Sequence, residues 1–145
     1  MKFLFVCYGN ICRSPIAEFV FKDITKGEEY YITSKAVSNE EIGNPIYPHA
    51  KEVMIKNNIP FEEHYATKMS AEDLKKFDYI LCMDSLNFRL IKELGKSDNV
   101  YKLLDFTLNP HDIDDPWYSG DFDKAFDDIQ KGCKALYKFV KKNKE

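Results

Sequence analysis

The sequence predicts an α/β fold: a single-domain, three-layer sandwich with a central four-stranded parallel sheet and helices on both faces. Three observations predict it. The apolar runs KFLFVC (residues 2–7) and DYILCM (78–83) are continuous rather than alternating, as in strands covered on both sides. Helical segments follow such runs in alternation, which builds βαβ units. A length of 145 residues suits one domain with its own core, and 44% hydrophobic against 31% charged residues is globular composition.

KFLFVC is the first expected strand, ended by the turn at Gly9. SPIAEFVFKDITKG (14–27) then reads as a helix, with Ser14 as N-cap, Pro15 at the first helical position, Glu18 in the first turn and Gly27 as the stop. Ile16, Val20 and Ile24, with Ala17 and Phe21 beside them, form the stripe that faces the sheet. EYYITSKAV (29–37) is a second strand, rich in β-branched and aromatic residues. The turn-like SNEEIGNPIYP leads into a helix over 49–57. After the third strand (78–83) come the helix SLNFRLIKEL (85–94) and a fourth strand, NVYKLLDF (99–106). Residues 107–120 lack periodicity and contain two prolines, the mark of a long loop retained for function. A last helix is expected over 121–142. Phe122, Phe126, Ile129, Cys133, Leu136 and Val140 recur there at spacings of four and three, so Cys133 reads as a small core side chain and KKNKE as a solvated end.

A formal charge of −3 gives no global attraction to nucleic acid or anionic lipid. The apolar run at the N-terminus is too short for a signal segment or a membrane span, so a cytoplasmic location without membrane insertion is expected. Four cysteines (Cys7, Cys12, Cys82, Cys133) then read as reactive or buried thiols rather than a disulfide framework. Cys7 and Cys12, five apart, are placed to bridge reversibly under oxidation.

CYGNICRS (7–14) joins the first strand to the first helix. A strand, a glycine-containing loop and a helix N-terminus make an anion site, because loop and first-turn N–H groups lack partners and the helix dipole points its positive end at them. A nucleotide-binding P-loop would place a lysine and a threonine here, and this loop has neither. It has Cys7 at its base and Arg13 at its rim, one of only two arginines (Arg13, Arg89) among 21 basic residues. The five residues between them, Tyr8, Gly9, Asn10, Ile11 and Cys12, can curl so that their N–H groups converge on a tetrahedral oxyanion, while Arg13 supplies a bidentate fork. A helix N-terminus and a nearby cation favour the thiolate, so Cys7 is expected to be ionised at rest. A thiolate beneath a bound phosphate is the arrangement for in-line phosphoryl transfer to sulfur. Gly9 permits positive φ and Asn10 tolerates it, as a tight curl requires.

Expelling an alkoxide or phenoxide from phosphorus requires a proton donor, which this loop lacks. HDIDDPWYSG (111–120) offers carboxyl groups beside aromatic surface. Asp115 precedes the stiff Pro116, and Trp117 and Tyr118 are candidate walls for a flat aromatic substrate. Residue chemistry leaves both Asp114 and Asp115 open as the acid; Asp112 reads as solvated or capping.

These segments resemble the low-molecular-weight protein tyrosine phosphatases. CYGNICRSP is similar to that family's phosphate loop, and DDPWY to its acid loop. SKAVSNEEIGNP and FDYILCMD also resemble family segments, and order and spacing agree along nearly the whole chain. The resemblance implies one phosphotyrosine phosphatase domain over residues 1–145 that forms a phosphocysteine at Cys7. Arg13 would clamp the transition state and Asp115 serve as general acid and then base. Residues 8–14, from Tyr8 to Ser14, would bind the phosphate; Asn10 would hold the loop's shape and Ser14 would hydrogen-bond the thiolate. His64 and Asp84 match a supporting pair behind the loop. Tyr8, Glu40, Trp117 and Tyr118 would line the substrate cleft. Tyr8 stands where members usually carry a smaller aliphatic residue, so a narrower or more aromatic entrance is expected; Glu40 stands where many carry tryptophan or tyrosine, so the two departures bear on the preference for phosphotyrosine over other aryl phosphates rather than on the chemistry. The resemblance further implies phosphotyrosine proteins as substrates, phosphate and vanadate as inhibitors, no metal or other cofactor, and a monomer or weak homodimer.

Two other activities occur on this fold. Arsenate reductases that resemble the family add a paired cysteine on a mobile segment, whereas Cys82 here falls in a core strand and Arg89 seven residues later. Arginine phosphatases of the family tend to carry threonine where this chain has Ile11, whose bulk favours a flat tyrosyl ring. A non-hydrolytic phosphocysteine carrier or phosphotyrosine-binding module is the remaining alternative.

Overall fold

The computed structural model describes residues 1–143 and shows the three layers. Among these residues, β1 (Lys2–Cys7), β2 (Tyr31–Ala36), β3 (Tyr79–Cys82) and β4 (Val100–Lys102) form one parallel sheet in the order β2-β1-β3-β4. Side chains of β1 alternate between two cores. Phe3, Phe5 and Cys7 face the cluster built with α1 (Arg13–Ile24), α2 (Pro48–Lys56) and α6 (Phe122–Asn143). Leu4 and Val6 face a second cluster with Leu74 of α3 (Asp73–Lys76) and Ile91 of α4 (Ser85–Lys92). Both faces are covered from Phe3 to Val6, so a polar side chain there would need a buried partner.

The sheet order positions the site. From β1 the chain crosses to one side to make β2, then returns to the other side to make β3. Loops leaving β1 and β3 therefore diverge at the C-terminal edge and open a crevice between them, the place where ligands bind in open α/β sheets.

Several expected boundaries move, for local reasons. The first helix begins at Arg13, with Cys12 in the cap position, so Pro15 is its third residue and Ser14 is no cap. The Ser14 hydroxyl is taken by Cys7 and Asn10 instead. Thr25 rather than Gly27 stops this helix, since its N–H and hydroxyl both donate to the Phe21 carbonyl; Gly27, at φ 94°, lies in the turn beyond. The fourth strand is cut to three residues, because Leu103–Phe106 turns into a 3-10 helix that buries Leu103 and Leu104 against α6. Gly132 permits that approach: a Cβ there would sit 2.6 Å from Leu103 Cγ. Within the expected loop of 107–120, Pro116–Ser119 forms a one-turn helix, α5. The seam of the last helix is as expected, with Phe126, Ile129, Cys133, Leu136 and Val140 buried; of the KKNKE end, residues 144 and 145 lie outside the described residues. No helix among the described residues is long and apolar enough to cross a membrane.

Candidate active site

Residues 7–13 curl around a pocket of about 60 Å³ that is also lined by Glu40, Glu41, Asp115, Trp117 and Tyr118. The curl turns on Asn10, which is fully buried and stands at φ 63°. Gly9, expected to share the left-handed conformation, does not. Its small size serves a close approach instead, since a Cβ would lie 3.1 Å from Glu41 Cγ.

Hydrogen-bond donors behind the loop can be assigned in sequence. The Thr67 N–H can only donate, and it reaches Asn10 Oδ1 at 3.2 Å, which fixes the orientation of that amide. Asn10 Nδ2 then donates to Ser14 Oγ (2.8 Å) and to Ser34 Oγ (3.0 Å). Ser34 passes its own proton to Glu18 Oε1 at 2.6 Å, and Ser14 has Cys7 Sγ at 3.0 Å as its acceptor. The Asn10 N–H adds a second donor to the same sulfur at 3.2 Å. Cys7 Sγ is thus contacted from two sides, by the Asn10 N–H and the Ser14 hydroxyl. Among the described residues, the N–H groups of Gly9, Ile11, Cys12 and Arg13 find no acceptor within the protein. Four unpaired donors around a helix N-terminus are complementary to an anion.

Arg13 is buried, with a side chain only 2% exposed. Its Nη1 donates to Asp84 Oδ2 (2.8 Å) and to the Ile113 carbonyl (2.7 Å), and Nη2 lies 3.4 Å from Asp115 Oδ2. Burial works against the charge, but Cys7, Asp115 and Asp84 outweigh it and hold the guanidinium above its ordinary pKa. Asp84 has a second duty, its Oδ1 capping α4 through the Asn87 N–H. His64 and Asp84 contact the loop at different residues. His64 Nε2 meets Asn10 Oδ1 at 3.0 Å on one side of the loop, and Asp84 grips Arg13 on another. Burial pushes the His64 imidazole below its ordinary value, against the opposing pull of the Glu18 carboxylate.

The acidic segment separates its three aspartates. Asp112 accepts from the Ser85 N–H and hydroxyl and from Lys102. Partial burial opposes its charge, yet those bonds hold it below the usual carboxylate range. Asp114 turns outward to Lys124 at 3.1 Å. Asp115 turns inward, its Oδ1 capping α5 through the Trp117 N–H (3.0 Å) and its Oδ2 facing Arg13. Trp117 packs edge-on against Tyr47, with ring centroids 4.8 Å apart. On the opposite wall the Tyr8 hydroxyl reaches Glu40 at 3.4 Å, and that carboxylate holds the phenol above its ordinary pKa.

Cys12 is a buried free thiol whose pKa is pushed well up, first by burial and then by the neighbouring Cys7. Cys82 and Cys133 are buried in β3 and α6. Sequence reasoning missed Glu18 as more than a first-turn acid, and it missed Ser34, Glu41 and the Ile113 carbonyl. The one available signal for Ser34 was its place between Ile32 and Ala36 on the alternating inward face of the second strand. None existed for a carbonyl 100 positions from its partner.

The chain matches the family model for low molecular weight phosphotyrosine protein phosphatase over residues 2–145. It is 35% identical to the low molecular weight protein-tyrosine-phosphatase YfkJ of Bacillus subtilis, over 98% of this chain and 97% of that one. The crystal structure of YfkJ superposes with a TM-score of 0.95, covering 100% and 97% of the two chains at 34% identity. Identity is 38% to the low molecular weight phosphotyrosine protein phosphatase of Homo sapiens, over 92% and 91% of the chains. The YwlE arginine phosphatase of Bacillus subtilis is also similar in structure, with a TM-score of 0.85 and 29% identity over 98% and 97%. The sheet order, the curled loop after β1 and these matches along the full length agree, and the chain belongs to the low molecular weight phosphotyrosine protein phosphatase family.

Proposed function

We propose that the chain, as one catalytic domain, hydrolyses phosphotyrosine in proteins, and small aryl phosphates, through a phosphocysteine at Cys7. The observation that carries this reading is a single pocket holding a sulfur within hydrogen-bond distance of the Asn10 N–H and the Ser14 hydroxyl, a clamped guanidinium and a carboxyl from beyond position 110. The phosphate sits among the N–H groups of residues 8–14, with Arg13 on its oxygens. Cys7 Sγ attacks phosphorus as the P–O bond to the leaving group breaks, and protonated Asp115 delivers its proton to the departing oxygen. Water then attacks phosphorus and gives a proton to the Asp115 carboxylate. The P–S bond breaks, and phosphate leaves with the thiolate restored. Asn10 and Ser14, backed by Ser34, Glu18 and His64, hold the sulfur and loop; Asp84 holds the fork.

Trp117, Tyr118, Tyr8 and Glu40 form the entrance for a tyrosyl ring, and Ile11 adds bulk to the wall, which supports an aryl ester over phosphoarginine. Arsenate reduction needs a second thiol on a mobile segment, whereas Cys82 and Cys133 are packed in β3 and α6. The reading includes phosphate and vanadate as competitors for the loop, action without a cofactor, a cytoplasmic setting, and a monomer or weak homodimer. The test is hydrolysis of p-nitrophenyl phosphate with EDTA present and then with vanadate, followed by phosphotyrosine and phosphoarginine peptides. Turnover resistant to EDTA and blocked by vanadate, with a preference for phosphotyrosine, is expected. A phosphoenzyme that never turns over would indicate a carrier, and thiol oxidation driven by arsenate with thioredoxin a reductase.

A further inference from the structure

A second concavity lies away from the catalytic pocket, between the C-terminal half of α6 and residues 104–111. Its volume of about 710 Å³ falls within the range of about 300–1,000 Å³ found for organic ligand sites. Hydrocarbon from Leu104, Phe106, Leu108, Ala135 and Phe139 lines it, and Leu108 is fully exposed. Lys131, Lys134, Lys138 and Lys142 stand along one edge.

Those lysines are the second observation. Their spacings of three, four and four put them in one row on α6, where like charges repel. Among the described residues none of the four has an ion-pair or hydrogen-bond partner, although Lys124 and Lys141 of the same helix pair with Asp114 and Glu28. Asp128, the acid at the groove, is directed to His111 (3.5 Å) and Lys124 (4.0 Å). In a chain of formal charge −3, an unneutralised cationic row beside exposed hydrocarbon calls for an anionic occupant with an apolar body.

We propose that this groove binds a single-chain anionic amphiphile of the fatty-acid class, its carboxylate among the four lysines and its alkyl tail on Leu104, Phe106, Leu108, Ala135 and Phe139. The lining suits an alkyl chain better than a peptide. Two of the polar side chains beside it are engaged internally, the Thr107 hydroxyl donating to the Leu104 carbonyl and His111 Nδ1 meeting the Asn109 carbonyl. Before its last turn the α6 backbone bonds within its helix, so that wall offers a peptide main chain no partners, and an alkyl chain needs none. The four lysine stems can extend along the hydrocarbon while their ammonium groups stay in water with the carboxylate.

Calorimetric titration of the full chain with dodecanoate below its micelle concentration tests this. Saturable 1:1 binding is expected, weakened at least about tenfold by Lys134→Glu with Lys138→Glu, and by replacing dodecanoate with dodecanol. Ala135→Trp, which fills the groove from a partly exposed position, should weaken binding by a similar factor. Both variants should hydrolyse p-nitrophenyl phosphate at the wild-type rate, which confirms that they fold. The absence of saturation to on the order of 1 mM would overturn the proposal, as would variants that bind equally well. So would binding to phosphatidylglycerol vesicles, or to an acidic peptide, without binding to monomeric dodecanoate.

Discussion

The loop of residues 7–13 and the segment of residues 111–120 face the same pocket with opposite degrees of restraint. Behind the first, Asn10 spends its amide on Thr67, His64, Ser14 and Ser34, and Arg13 is held by Asp84 and the Ile113 carbonyl. In the second, Trp117 and Tyr118 are 51% and 83% exposed, and among the described residues the Asp115 side chain is held only by its cap bond and a 3.4 Å approach to Arg13. The roles proposed for the two segments account for the difference. A cradle for an oxyanion works by having its donors in place before charge develops, whereas an acid must meet leaving groups of varying shape and then a water.

If that division holds, the largest effect comes from the cradle's nucleophile. Cys7→Ser should lower kcat for p-nitrophenyl phosphate on the order of 10⁶-fold while vanadate still binds, because the N–H groups and Arg13 remain. Near wild-type turnover by that variant would remove phosphocysteine from the mechanism. Asp115→Asn should lower kcat by about 10²- to 10⁴-fold for alkyl phosphates and much less for p-nitrophenyl phosphate, whose leaving group hardly needs a proton. Equal losses on both esters would take the acid role from Asp115.

Asn10→Ala tests whether the cradle's restraint is structural. It strands the Thr67 N–H and leaves a residue without a polar side chain at φ 63°, so about 1–3 kcal/mol of stability should be lost in urea melts along with kcat. An active variant of unchanged stability would show that the loop keeps its shape without the network. Trp117→Ala, on the looser side, should raise KM for phosphotyrosine peptides a few-fold and leave the melting curve alone, as expected for a half-exposed side chain. The smallest effect concerns pH. With its folded pKa below the unfolded value of about 6.5, His64 is protonated more readily in the unfolded chain, so its contribution to stability falls as pH drops through about 6.5. His64→Gln should make the fall in urea midpoint between pH 7.5 and 5.5 shallower; an unchanged slope would assign that fall to other groups.

The limits of the sequence are visible at single residues. Ser14 looks like an N-cap because a serine before a proline and an apolar stripe fits that pattern, but tertiary contact with Cys7 gives its hydroxyl a stronger use. Asp114 and Asp115 are chemically equivalent neighbours in the chain. A helix-capping bond and the nearness of Lys124 point one outward and the other inward. The 3-10 turn at Leu103–Phe106 replaces an expected strand because α6, thinned at Gly132, lies where the strand would have run.

By itself the sequence determined the covered sheet, the curled loop's place between β1 and α1, and the presence of Cys7 and Arg13 on it, the nucleophile and cation of the proposed reaction, because apolar periodicity and a Cys-to-Arg loop at a helix start are short-range patterns. Only the tertiary structure decided that Asp84 and the Ile113 carbonyl hold Arg13, that Glu18 and Ser34 stand behind Asn10, and which aspartate faces Arg13. These contacts join residues up to 102 positions apart. Strand order and helix packing bring them together, and no local propensity records that meeting.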